Sequence, residues 1–384
     1  MRVADPVQEA KDLSETPVGR VIESWKSAHP GAKAVGWFPV FSPIELTHAA
    51  GMLPISIAGG GNQMEIAHAD SRFQSFVCSI IKSTLELGLT GQLENLDGMI
   101  FHSICDPAKN LTSVFKRNFP RLMVDFIHFT QNFASPVAEE YLAAEYGRVR
   151  TRLAELAGTE ITDGQIRSSI ATYNRVRERV RRLQGIRLNG RNQLSAAETA
   201  ALLRAGGRMM PEDFLTLLDD ALRVISSRPG KARDLVHVVL EGSFCEQPPL
   251  ELIQSIEEAG CSILEDDFEL GFRWFKGDIS TEGDPLRALA HAYIDGSVHS
   301  AVKHDLRYRK AAPLVEKVRR TGAQAVVVLT AKFCEPALFD YALYREALEE
   351  NNIPHVLVEF EEKMWAFDKI RSEIETFVES MMFD

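Results

Sequence analysis

The sequence predicts an α/β protein with two open parallel-sheet domains, Rossmann or flavodoxin-like, joined by a helical insertion. Three observations support this fold class. Short apolar runs alternate with helical patterns towards both ends of the 384-residue chain, and parallel strands need crossover helices of this kind. The stretch between these regions has helical periodicity and little proline, as helices require. The length is sufficient for roughly two to three domains.

The predicted boundaries are an N-terminal α/β domain at 1–135, a helical region at 136–229 and a C-terminal α/β domain at 230–384. In the first domain, strand patterns and helix patterns alternate along the chain. They are strand Ala34–Val40, helix Pro43–Ala50, strand Leu53–Ile57, helix Cys78–Leu89, strand Leu96–His102, helix Pro107–Phe115 and strand Arg121–Ile127.

The middle region has apolar residues three and four positions apart, which predicts helices, and the alternation then returns. The predicted helices of the middle region are Ala138–Leu156, Asp163–Leu183, Ala196–Arg204 and Glu212–Ile225. The C-terminal elements are strand Leu235–Leu240, helix Leu250–Ala259, strand Cys261–Leu264, strand Ala323–Leu329, helix Leu338–Glu349, strand His355–Glu359 and helix Trp365–Phe377. Open parallel sheets bind ligands beyond the carboxyl ends of their strands.

Composition and motifs exclude several classes of protein. Lys and Arg number 43 against 54 Asp and Glu, and the net charge of −11 argues against a nucleic-acid binder. No apolar run approaches the ~20 residues of a membrane helix, and the polar N-terminus lacks a signal-peptide pattern. Five cysteines predict no disulfide framework and a reducing cytoplasm. The absence of GxxxxGK[ST], HExxH and GxSxG disfavours P-loop ATPases, zinc proteases and serine hydrolases.

Three cysteines lie near predicted helix starts. Cys105 and Cys334 each follow a strand and precede a helix, and Cys78 stands at the beginning of another helix. Free N–H groups and the helix dipole favour negative charge there, which suits a thiolate or an anionic iron–sulfur cluster. The alternative is that each cysteine is a small buried hydrophobe. The spacing matches no compact metal motif, so the residues alone indicate only a candidate metal site in a crevice.

The other two cysteines have different settings. Cys261 begins an apolar strand and is predicted to lie in the core. Cys245, within GSFCEQP, ends a strand and faces the predicted crevice. It is a fourth ligand, a substrate neighbour or a spectator, and the sequence leaves these alternatives open.

Several ordered blocks resemble one family along nearly the whole chain. They are FSPIELTHAAGMLPI (Phe41–Ile55), Cys78, SICDPAKN (Ser103–Asn110), LEGSFCEQPPLELIQSIEEAG (Leu240–Gly260), DDFELGFRWF (Asp266–Phe275) and KFCEPALFDYALYREALEENNIPHVLVEFE (Lys332–Glu361). Each block alone is weak evidence, but the ordered set resembles the 2-hydroxyacyl-CoA dehydratases and benzoyl-CoA reductases.

The resemblance implies one [4Fe-4S] cluster, held by Cys78, Cys105 and Cys334, with the fourth iron left for a non-protein ligand or substrate. It implies a homologous second cluster-bearing subunit as a partner. Low-potential electrons are expected from a separate iron–sulfur ATPase, with ferredoxin upstream. The implied substrate is an aryl-CoA or acyl-CoA thioester.

Two activities compete within that family. One reduces the aromatic ring of benzoyl-CoA to a cyclic diene in anaerobic aromatic degradation, and the other dehydrates 2-hydroxyacyl-CoA through a ketyl radical. The blocks resemble more closely the reductase branch and its smaller cluster-bearing (gamma, C-type) subunit. A non-catalytic companion subunit that has kept the fold is an alternative from another class.

Two further residues are candidates for proton transfer. Glu45 matches a position where the resembled family keeps an acid near the substrate, so it is either a proton relay or a first-turn acid that complements the helix dipole. His102, at a strand end, is favoured as a structural histidine, with proton donation as the alternative.

A dense basic stretch occurs in the longest predicted helix. Guanidinium groups suit the phosphates of CoA, but these side chains do not all share one helix face, so a solvated face is favoured. The residues are Arg175, Arg177, Arg179, Arg181, Arg182, Arg187 and Arg191.

Overall fold

The protein contains two separate four-stranded sheets, both entirely parallel, in a computed structural model. The strand order is β2-β1-β3-β4 in the first sheet and β6-β5-β7-β8 in the second. Both are the doubly wound order of flavodoxin-like folds, in which the chain reverses direction beside the first strand. The fold class predicted from sequence is confirmed. The structure describes residues 5–61, 64–189, 192–230, 235–242, 245–268, 276–298, 300–301, 303, 305–361 and 364–383.

The strands are short and mostly buried, as expected for parallel sheets covered on both faces. In the first sheet they are β1 Ala34–Trp37, β2 Leu53–Ser56, β3 Gly98–His102 and β4 Met123–Ile127. In the second sheet they are β5 Val236–Glu241, β6 Cys261–Glu265, β7 Ala325–Ala331 and β8 His355–Phe360.

Helices connect the strands and fill the middle of the chain. They are α1 Pro6–Glu15, α2 Val18–Ala28, α3 Ile44–Ala49, α4 Ser79–Leu89, α5 Asp106–Asn118, α6 Ala138–Ala157, α7 Asp163–Leu188, α8 Ala196–Gly206, α9 Pro211–Ser226, α10 Leu250–Glu258, α11 Pro285–Ile294, α12 Ala312–Thr321, α13 Glu335–Glu350 and α14 Asp368–Phe383. Capping boxes start α7 at Thr162 and α8 at Ser195. Among the described residues, no helix combines the length and apolarity needed to cross a bilayer.

Packing crosses the domain boundaries predicted from sequence. Helix α1, inside the predicted first domain, places Val7 and Ala10 in the core of α7, α8 and α9. Helix α11, inside the predicted third domain, packs on the core of the first sheet. There the Tyr293 ring stacks on Phe129, with ring centroids 4.4 Å apart. The two sheets and the helical region therefore share elements, and the boundaries at 135 and 229 stay predictions.

Strand β1 is shorter than predicted, and the difference has a backbone cause. The predicted strand runs to Val40, but β1 ends at Trp37. Val40 and Phe41 have φ angles of 62° and 56°, in the left-handed region. Side chains rarely adopt this conformation, and apolar periodicity does not reveal it. The chain turns sharply here, at the carboxyl end of β1, before α3 begins.

Candidate functional site

Two cysteines occupy equivalent positions in the two sheets. Cys105 follows β3 and is the N-cap of α5, and Cys334 follows β7 and is the N-cap of α13. The local sequences match, with CDPA at 105–108 and CEPA at 334–337. In each, an acid opens the first turn, where it complements the helix dipole, and a proline follows where its missing N–H costs nothing. The same local rules therefore place a thiol at the carboxyl edge of each sheet.

Cys78 is the N-cap of α4, but its helix has no acid in the first turn. The acid comes from the other half of the chain. Glu246, only 3% exposed, accepts a hydrogen bond from the Ser79 hydroxyl and another, of 3.1 Å, from the Ile80 N–H. This carboxylate satisfies the free N–H groups of α4 in place of a local side chain. It also ties the segment after β5 to the helix that begins at Cys78.

The structure brings these three thiols close enough to interact electrostatically. Burial raises the pKa of Cys78 well above its ordinary value, and the charges of Glu246, Cys334 and Cys105 raise it further. Burial also raises the pKa of Cys334 to about 12, with Cys105 among the charges that contribute. Each pair within the set is therefore in electrostatic contact, across the two sheets. This agrees with the crevice predicted from sequence.

The helix starts partly offset the cost of a thiolate at these positions. Among the described residues, no N-cap side chain makes a hydrogen bond at the start of α4, α5 or α13. The backbone N–H groups of Ile81, Ala108 and Ala337 nevertheless lower the pKa values of Cys78, Cys105 and Cys334, although burial outweighs them. In each case the N–H lies three residues beyond the cysteine. The protein has thus prepared three similar sites for a negatively charged sulfur.

Cys245 lies in the same place, and sequence patterns had left its position open. Burial raises the pKa of its thiol, and the charges of Cys105, Cys334 and Cys78 raise it further. Its neighbour Glu246 was not among the residues predicted from sequence. The only signal for it was its position next to a cysteine in GSFCEQP, because the hydrogen bonds to α4 join residues 166 and 167 positions apart.

The donor set is compatible with an iron–sulfur cluster but not with a single ion. Among the described residues, no group of three or more His, Cys, Asp or Glu side chains is arranged to hold one metal ion. In a [4Fe-4S] cluster each cysteine binds a different iron, so the sulfurs surround the cluster instead of converging on one point. Buried thiols beside three helix N-termini fit the charge and softness of such a cluster.

Glu45 makes a buried ion pair with the helical region. It lies on α3, is 0% exposed, and accepts a hydrogen bond from the guanidinium of Arg177 on α7. Arg177 also donates to Asn174 Oδ1 at 3.1 Å. A buried pair of this kind fixes how α3 sits on α7, because either charge alone would be costly there. Its proposed role in proton relay stays a prediction.

His102 ends β3 and is fully buried. Burial lowers the pKa of its imidazole to about 4, although the backbone carbonyls of Phe38 and Val40 favour the protonated ring. Its Nε2 lies 3.1 Å from the Phe38 carbonyl oxygen, so the neutral ring donates a hydrogen bond to the turn after β1. The favoured structural interpretation accounts for these contacts, and proton donation by His102 stays a prediction.

Most of the basic stretch is engaged in ion pairs. Besides Arg177, Arg187 donates to Asp266 at 2.5 Å and to the Ile263 carbonyl at 2.6 Å. Arg179 pairs with Asp219, and Arg181 with Asp278. Arg191 lies outside the described residues. These contacts support a structural role for the stretch, and they support the solvated face only for its outer members.

A cavity of about 660 Å³ opens at the carboxyl ends of β1 and β2. Trp37, Gly60 and Arg208 are among its lining residues, together with Gln247, which follows Glu246 in sequence. Trp37 is 5% exposed, and its indole N–H has no hydrogen-bond partner among the described residues. The volume is that of a small-molecule site. The first sheet thus has a ligand-sized space next to the segment that carries Cys245.

Two parallel sheets with a shared cysteine site define a class of protein, and comparison with known proteins agrees with it. The family of the 2-hydroxyglutaryl-CoA dehydratase D-component matches residues 39–381. The chain belongs to this family, as the resemblance in its sequence blocks implies.

Curated relatives align along almost the whole chain. The C-type subunit of benzoyl-CoA reductase from Thauera aromatica is 36% identical over 99% of both chains. The beta subunit of lactoyl-CoA dehydratase from Anaerotignum propionicum is 29% identical over 99% of this chain and 100% of its own. The beta subunit of (R)-2-hydroxyglutaryl-CoA dehydratase from Acidaminococcus fermentans is 26% identical, with the same coverage. All three relatives are named as subunits of larger enzymes.

Proposed function

We propose that the chain is the [4Fe-4S]-containing subunit of an ATP-dependent, ferredoxin-driven benzoyl-CoA reductase, which reduces the aromatic ring of benzoyl-CoA to a cyclic diene. One observation carries the choice of reaction. The identity to the reductase subunit is 36%, against 29% and 26% to the two dehydratase subunits, at equal coverage of this chain.

Cys78, Cys105 and Cys334 are the proposed ligands of the cluster. When bound, a [4Fe-4S] cluster supplies single electrons at low potential. The protein contributes three buried thiols, three helix N-termini and N–H groups that favour the thiolate. Burial of the thiols excludes water from the site, and helix dipoles offset the negative charge that burial makes costly.

The proposed partners follow from the proposed reaction. The enzyme is completed by a homologous second subunit with its own cluster, and an iron–sulfur ATPase, charged by ferredoxin, delivers the electrons. The names of the relatives, all of them subunits, support an assembly of this kind. Protons must enter the ring with the electrons, and Glu45 and His102 are the predicted donors. The ion pair of Glu45 with Arg177 makes it a positioning residue as well.

The test uses the complete complex, assembled without oxygen and supplied with ATP and reductant. Benzoyl-CoA and a 2-hydroxyacyl-CoA are offered separately, and the consumption of each thioester is measured. We expect benzoyl-CoA to be consumed. A Cys78/Cys105/Cys334 triple serine variant should lose this activity, and Cys261→Ser should retain it, because Cys261 lies in the core of the second sheet. Full activity of the triple variant would exclude a role for the cluster.

The second candidate function is dehydration of a 2-hydroxyacyl-CoA. The family description and two of the named relatives favour it. Consumption of the 2-hydroxyacyl-CoA alone in the same experiment would establish it in place of the reductase. A non-catalytic companion role makes a third prediction: turnover then survives when this subunit lacks its cluster and the partner keeps its own.

A further inference from the structure

Cys245 stands on a segment that the second sheet delivers to the cysteine site. It follows β5, which pairs in parallel with β7 from Val238↔Ala325 to Glu241↔Val328. The carboxyl ends of these neighbouring strands lie side by side, and β7 leads to Cys334. Gly242 makes the departure possible, because its φ is +116° and an added Cβ would lie 2.9 Å from the Leu329 carbonyl oxygen.

Glu246 fixes the other side of this segment. Its carboxylate accepts the hydrogen bonds from Ser79 and Ile80 at the start of α4, directly after Cys78. Cys245, the preceding residue, is thereby held between the strand that leads to Cys334 and the helix that begins at Cys78. It also packs against the same core as Cys78, Cys105 and Cys334. Two independent anchors, one on each sheet, therefore determine its position.

The thiol of Cys245 faces all three predicted ligands. The charges of Cys105, Cys334 and Cys78 each act on it, in that order of strength. Cys261 provides the contrast: it is also buried, but among the described residues the charge that acts on its thiol is that of Glu257. Four of the five cysteines in the chain therefore lie together, and the fifth lies in the core of the second sheet.

We propose that Cys245 provides the fourth thiolate ligand of the cluster, so that the cluster in this subunit is closed to substrate and passes electrons to the partner subunit. The inference rests on the proposed function and departs from the resemblance, which leaves the fourth iron to a non-protein ligand. An iron that binds substrate needs an open coordination position, and four protein ligands remove it, as in closed zinc sites. A fourth thiolate also adds negative charge, which lowers the reduction potential.

The test compares full-length wild type with Cys245→Ala, Cys245→Ser and the matched control Cys261→Ser, each loaded with iron and sulfide without oxygen. Iron content, circular dichroism and the electron paramagnetic resonance spectrum of the reduced state are recorded. Spectra are then repeated with cyanide and with 2-mercaptoethanol, which bind an iron that has an open position. We expect wild type and Cys261→Ser to be unaffected by either probe and Cys245→Ala to change with both.

Mild oxidation gives a second readout. Cys245→Ala should lose one of its about four irons, whereas wild type should keep them all. Cys245→Ser should fold and retain the cluster with an altered spectrum, because a serine oxygen replaces the sulfur. A wild-type spectrum that responds to the probes as Cys245→Ala does would overturn the role of Cys245 and leave the proposed function standing. A wild-type chain that binds no cluster would overturn both.

Discussion

The carboxyl edges of the two sheets solve the same problem in different ways. At β3 and β7 the solution is local: the strand ends, a cysteine caps the next helix, and an acid and a proline follow in the sequence. At α4 the cysteine has no such support, and the carboxylate of Glu246 arrives from the other sheet. Two of the ligand positions are thus encoded by short motifs, and the third exists only when the two halves of the chain are packed together.

The largest effect is expected from the two local motifs. Cys105→Ser and Cys334→Ser should each remove the cluster and the activity, and to the same extent, because the two positions are built alike. Iron and sulfide analysis of the chain, loaded without oxygen, measures this, with Cys261→Ser as the control that keeps about four irons. Full iron content in either variant would show that its cysteine is not a ligand.

A smaller effect is expected from the acids that serve the helix starts. Glu246→Gln removes a buried charge that accepts two hydrogen bonds, so it should lower the free energy of unfolding by about 1–3 kcal/mol and weaken retention of the cluster. Glu335→Gln changes an exposed first-turn acid and should cost about 0.3–1 kcal/mol. Denaturant titration of both variants gives the ratio. Equal losses would show that the acid from the other sheet acts no differently from the local one.

The two edges also differ in their response to acid. His102 lies three residues before Cys105, and the corresponding residue before Cys334 is Ala331. The pKa of His102 is about 4 in the folded state and about 6.5 in an unfolded chain. The unfolded chain therefore binds a proton more readily, so stability from this group is present above pH 6.5 and is lost as the pH falls towards 4.

This loss amounts to about 3 kcal/mol at pH 4. A His102→Asn variant should lack that part of the pH dependence, which denaturant titrations between pH 7 and pH 4 would reveal. The Asn side chain can still donate to the Phe38 carbonyl, so the variant is expected to fold. An unchanged pH dependence would mean that His102 is not buried as a neutral group.

Sequence patterns predicted the fold class because each parallel strand is a short apolar run between helices, and this signal is local. They also predicted three cysteines at helix starts, for the same reason. They did not predict Glu246, the partner of Arg177 or the end of β1, because these depend on contacts between distant residues or on left-handed backbone at Val40 and Phe41. Long-range pairing is the part of this site that composition and periodicity do not contain.

The smallest effect concerns the turn before Cys334. Phe333 has a φ of 63°, whereas Ile104, which precedes Cys105, is not in the left-handed region. Phe333 is 41% exposed, so its ring contributes little to the core, and its backbone conformation is one that asparagine tolerates better. Phe333→Asn should therefore raise the free energy of unfolding by about 0.5–1 kcal/mol, with no change in iron content. The matched Ile104→Asn change should destabilise, because Ile104 is buried and its backbone gains nothing. Thermal unfolding of the two variants tests the difference, and a loss of stability in Phe333→Asn would show that the ring, and not the backbone, determines the stability of this turn.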